Sequence, residues 1–160
     1  MSTNNNTTLT FVAPLPEAAN ASMQEILEAS GFSHDWDEAT AVLDQLPPGV
    51  VTLFARNCPY DERCGIIDLA KRLNFSVILH CEDLADFAGD ATSDIVAFDA
   101  TTSRDVSFAA TNNSHQPLLR LDQCIGLSRA EFKQFLLPKD ILEAQGEDAP
   151  NWCKMLQTIW

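Results

Sequence analysis

The sequence predicts an α/β domain: a small mixed sheet with a central parallel βαβ unit, flanked by acidic N-terminal helices and closed by C-terminal helices. Three observations carry that expectation. Val50–Arg56 and Ser76–His80 are apolar, β-branched runs with a helical pattern between them. Strand, helix and strand within about 30 residues is the spacing of a right-handed parallel crossover. Two helical patterns rich in Asp and Glu come before that unit, and helix-opening signals at Ser128, Pro138 and Pro150 come after it.

Taken in order, the Ser-, Thr- and Asn-rich stretch 1–8 reads as a disordered polar tail, and 9–160 as a single domain. Leu9–Leu15 is a short strand closed by Pro14 and Pro16. Ser22 followed by Glu25 forms a capping box, and Met23, Ile26 and Leu27 supply the apolar face of a helix ending at Gly31. A second helix is expected over Asp35–Leu46, where Trp36, Ala39, Val42, Leu43 and Leu46 recur at helical spacing and Asp37, Glu38 and Asp44 face solvent. Pro47-Pro48-Gly49 stops it.

After the strand Val50–Arg56, Glu62–Leu73 is a helix with Ile66, Leu69, Ala70 and Leu73 on one side. Beyond Ser76–His80, a short acidic helix over Glu82–Phe87 and a strand over Asp94–Phe98 continue the unit. Val106–Ala110 and Leu118–Leu121 read as further antiparallel strands around the polar loop Thr111–Gln116. The last third is helical. Leu127 staples onto Phe132 across a capping box, a helix runs from Pro138 to Gly146, and the last helix carries Trp152, Met155, Leu156, Ile159 and Trp160. That apolar end either completes the core or forms a homodimer interface, where Trp and Met are enriched. No internal repeat or linker divides the chain.

Charge is the most distinctive property. Residues 1–55 hold seven carboxylates and 73–103 six more, with no Lys or Arg in either window; the remaining residues balance, which leaves a net charge of −13. With 46% hydrophobic residues the chain can build a real core, so the acidity belongs to a folded surface. A surface of this sign repels nucleic acid and anionic membranes and attracts basic proteins. The polar start has no signal-peptide pattern and no apolar run reaches membrane-spanning length, and the five cysteines suit a reducing, cytoplasmic setting with free thiols.

Chemistry-bearing motifs are sparse. Cys58-Pro59-Tyr60-Asp61-Glu62-Arg63, set between a strand and a helix, resembles the loop of rhodanese-type sulfurtransferases, with Cys58 and Arg63 as the matched positions. The resemblance implies a Cys58 thiolate over a helix N-terminus. Separately, the expected βαβ unit places His80 and Glu82 at the carboxyl end of the next strand, near Cys58, as a small sulfurtransferase- or phosphatase-like enzyme would need. The loop departs from that family in lacking glycine and in placing Asp61 and Glu62 where they repel an anion. Cys58, Cys64, His80 and Cys81 lack the knuckle spacing of a zinc site. No metal, nucleotide or other cofactor is called for, since no phosphate loop, dinucleotide fingerprint or Ser-His-Asp order is present.

The preferred expectation is therefore non-enzymatic. A carboxylate-rich helical surface would dock on a basic, nucleic-acid-binding protein and inhibit it, imitating the charge density of duplex DNA. Its residues are Glu25, Glu28, Asp35, Asp37, Glu38 and Asp44, with Glu82, Asp83, Asp86 and Asp90 as a second patch. The small α/β enzyme centred on Cys58 is the alternative.

Overall fold

A computed structural model describes residues 5–35, 39–83, 92–111, 117–118 and 138–145. Its strands are β1 (Asn5–Ala13), β2 (Gly49–Arg56), β3 (Val77–Asp83), β4 (Thr92–Asp99), β5 (Arg104–Thr111) and the two-residue β6 (Pro117–Leu118). Its α-helices are α1 (Asn20–Ser30), α2 (Tyr60–Leu73) and α3 (Lys139–Gln145). None of the described helices is long and apolar enough to cross a membrane.

The strands form one six-stranded sheet in the order β2-β1-β3-β4-β5-β6, and every neighbouring pair is antiparallel. This corrects the expected parallel βαβ centre. β2 and β3 do run in the same direction, because each is antiparallel to β1, but β1 lies between them. Leu9 pairs with both Leu53 and Leu79. The strand–helix–strand pattern was legible, whereas the inserted strand came from the far end of the chain.

The insertion also recruits residues assigned to a mobile tail. Asn5–Thr8 belong to β1, and Thr7 is fully buried between Ala55 and Cys81. Side chains alternate across the pleat. Leu9, Phe11, Leu53, Val77, Leu79 and Phe98 point to one face and build the main core with Met23 and Leu27 of α1 and Ile66, Leu69 and Ala70 of α2. Ile78, Ile95 and Ala97 point to the other face and are buried outside that cluster, as is Ile141 of α3, which packs against β1 and β2.

Local differences have physical causes. A 3-10 turn at Glu17–Ala19 runs straight into α1, so Ser22 already has helical neighbours and the capping box does not form; no side chain caps this helix. Gly31 ends α1 in the left-handed conformation (φ 70°), which glycine adopts without strain, and its N–H bonds to the Leu27 carbonyl. The expected helix over Asp35–Leu46 is not formed by its described residues, 35 and 39–46. Ser33 forms a two-hydrogen-bond bridge to Phe54, Ala41 N–H donates to the Phe32 carbonyl, and only Leu43–Gln45 makes a 3-10 turn. Backbone groups of Ala41 and Leu43 are thus spent on Phe32 and on the Gln24 side chain of α1. The expected acidic helix over Glu82–Phe87 is likewise corrected at its start, because Glu82 and Asp83 complete β3.

The helix predicted from Pro138 to Gly146 is present as α3. The expected helices opening at Ser128 and Pro150, with Trp152, Met155, Leu156, Ile159 and Trp160, lie outside the described residues, as do Trp36, Asp37, Glu38, Asp86 and Asp90.

Candidate functional site

The first acidic window gathers around one glutamine. Gln24, on α1, accepts a hydrogen bond from Leu43 N–H (2.9 Å) through Oε1, while its Nε2 donates to the Ala41 carbonyl (3.1 Å) and to Glu28 Oε1 (3.1 Å). An amide side chain thus satisfies the backbone of an irregular segment much as a neighbouring strand would. The consequence is electrostatic. Asp44 is held beside the helix that carries Glu25 and Glu28, and all three are exposed. Asp35 is also exposed, beside the Ser33–Phe54 bridge.

Gln24→Ala is expected to destabilise the fold by about 1–2 kcal/mol, because two backbone groups lose their partner. Amide exchange at Leu43 should speed up. Unchanged exchange there would mean that the latch does not hold the segment.

Glu82 belongs elsewhere. It alternates with Cys81 along β3, so it lies on the sheet face opposite α1 and α2 and is half-buried. Asp83 ends the same strand. Glu82 therefore does not extend the patch on α1.

The residues proposed for thiol chemistry divide in the same way. Cys58 follows β2, Arg63 is in the first turns of α2, and both approach Cys81 of β3, whose Sγ accepts a hydrogen bond from Thr7 Oγ1 at 3.9 Å. His80 and Glu82 lie on the opposite face from Cys81. No group of three or more metal-ligating side chains converges among the described residues.

Cys58 itself is 3% exposed and donates to Ser30 Oγ at 3.5 Å. Burial raises its pKa above the ordinary 9.0; the Ser30 hydrogen bond and Arg63 pull the other way without reversing the shift. A nucleophilic cysteine needs the opposite shift. Because the folded state holds this proton more tightly than the unfolded chain, Cys58 favours folding below about pH 9 and progressively less above it. The stability of the wild type should accordingly fall more steeply from about pH 9 upward than that of Cys58→Ala, measured by urea unfolding across that range. Equal slopes, or rapid Cys58 alkylation at neutral pH, would contradict a buried protonated thiol.

Arg63 is the cation of this region. Burial works against its charge, but Cys81, Cys58 and Asp94 more than offset that, so it stays firmly protonated. Its guanidinium lies 5.5 Å from the centre of the Tyr60 ring. The two side chains border a cleft of about 340 Å³ between α2 and the sheet, lined also by Cys64, Ile67, Asp68 and Lys71 of α2 and by Leu79, Cys81, Val96 and Ser107 of β3, β4 and β5.

Sequence reasoning passed over this cleft, although a signal existed. Positions 60, 63, 64, 67, 68 and 71 form a second stripe at helical spacing, beside the core stripe of Ile66, Leu69 and Ala70. No protein-family model, characterised protein or solved structure matches the chain, so function rests on these surfaces alone.

Proposed function

We propose that this chain is an acidic binding protein that docks the surface formed by α1 and the 39–46 segment on a basic protein and blocks it. The supporting observation is the Gln24 latch, which ties the segment carrying Asp44 to the helix carrying Glu25 and Glu28, all three exposed, in a stretch of 55 residues without a single Lys or Arg. A basic groove of the kind that binds nucleic acid is the complementary surface, and an intracellular partner suits the free thiols of Cys58, Cys64 and Cys81. Asp35 is a further exposed carboxylate of the same base-free stretch, whereas Glu82 lies on the other face of the sheet. The reading of Cys58 as an enzymatic nucleophile is disfavoured by its burial and raised pKa.

The test is capture of partners from native cell extract at about 0.05 M and about 0.3 M salt, concentrations that bracket strong and weak screening. One basic protein retained in near-stoichiometric amount at the lower salt and shed at the higher is the expected result. Retention of nothing at either salt would reduce the charge to a solubility device.

A further inference from the structure

The cleft between α2 and the sheet has a chemical asymmetry. Its floor and one wall are apolar: Ile67 from α2, Leu79 from β3 and Val96 from β4. Two cations border it. Lys71 is engaged by Asp105 of β5 at 2.8 Å. Arg63 is engaged by Cys81, yet its Nε is buried with no hydrogen-bond partner among the described residues. A buried donor on a charged group that lacks an acceptor is costly, and native structures rarely leave one without reason. Here the orphaned N–H belongs to a side chain that borders an open cavity, whose volume of about 340 Å³ falls in the range of small-molecule sites, roughly 300–1,000 Å³.

We propose that this cleft binds a small monocarboxylate with an apolar body. The carboxylate accepts from Arg63, and the body lies along Ile67, Leu79 and Val96. Arginine presents its donors as a planar fork that matches a carboxylate, so the site selects a flat anionic head. Charge limits the choice further. Glu62 lies next to Arg63 in α2, Asp68 lines the cleft, and Asp94 acts on the guanidinium from β4. A phosphate dianion would meet this repulsion twice over, whereas a monocarboxylate meets it once and gains the apolar contacts. Tyr60, 70% exposed at the rim beside Arg63, is placed to cover the bound chain.

Octanoate is the probe, titrated calorimetrically into the whole protein below its micellar concentration, with octanol and octylammonium as controls. Saturable one-to-one binding of octanoate is expected, with octanol and octylammonium weaker. Arg63→Gln should weaken octanoate by about tenfold or more, the usual loss for a hydrogen bond to a charged group, and should leave octanol unchanged. Bound octanoate should also slow alkylation of Cys64, which lines the cleft. Failure of octanoate to saturate, equal affinity for octanol, or undiminished binding to folded Arg63→Gln would each overturn the proposal. Should Arg63→Gln fail to fold, Val96→Phe decides: filling the floor should abolish both binding and protection of Cys64, and protection that persists would place octanoate elsewhere.

Discussion

Phe11→Ala should cost about 3–5 kcal/mol of folding stability, the range for truncating a fully buried aromatic side chain. Phe11 is 0% exposed in β1, the strand inserted between β2 and β3, and pairs with Val51 on one side and Val77 on the other. Its ring belongs to the core cluster shared with Met23, Leu27, Ile66 and Leu69. Domains of this size are stable by roughly 5–15 kcal/mol, so the loss is a large fraction of the total. Urea unfolding should show a lower midpoint with little change in slope. Val42→Ala, at a side chain 41% exposed, is the control and should stay within about 0.5 kcal/mol. If the two substitutions cost the same, β1 is not the centre of the sheet.

Reversing Glu25, Glu28 and Asp44 together to Lys should weaken the captured basic partner by about tenfold or more at low salt. Exposed ion pairs are worth roughly 0.2–1 kcal/mol each, and reversal replaces each attraction with a repulsion of similar size. Three such changes together amount to roughly 1.2–6 kcal/mol, at or above the 1.4 kcal/mol of a tenfold effect over nearly all of that range. Net charge moves from −13 to −7, since each of the three reversals adds two charges. The difference between variant and wild type should shrink as salt rises, because the pairs are solvent-exposed. All three side chains are exposed, so the fold should be retained, and circular dichroism checks this. Undiminished affinity in the folded variant would reject docking through α1. Reversal of Glu82, on the other face of the sheet, should have a much smaller effect on the same partner.

How much of this was legible depends on the range of the interactions. The helix at 60–73 was readable because Ile66, Leu69 and Ala70 recur at helical spacing within one segment. β2, β3, β4 and β5 were each located to within a few residues by short β-branched or alternating runs. The helix expected over Asp35–Leu46 is not formed at its described residues although the apolar spacing was good, because Gln24 and Phe32 take backbone groups of Ala41 and Leu43. The polar stretch Asn5–Thr8 looked like a tail because Thr and Asn are common there. In the fold, Thr7 is buried in a strand paired on both sides. The candidate site divides along the same line. Exposure of Glu25, Glu28 and Asp44 could be expected from their segments, whereas the meeting of Arg63 with Cys81 required β3 to be placed beneath α2.

By itself the sequence determined the charge segregation, the turn points at Gly31 and Pro47-Pro48-Gly49, and most of the segments with a regular backbone. Propensity and periodicity act over a few residues and are written wherever those residues stand. Only the tertiary structure decided the strand order, the burial of Cys58, and the separation of the Glu82 face from the acidic face of α1. The physical reason lies in β1. Its edges hydrogen-bond to β2 on one side and β3 on the other, and its Leu9 and Phe11 fill the core beneath α1 and α2. Which strands meet is settled by the combined burial of side chains far apart in the chain, a quantity that no single segment carries.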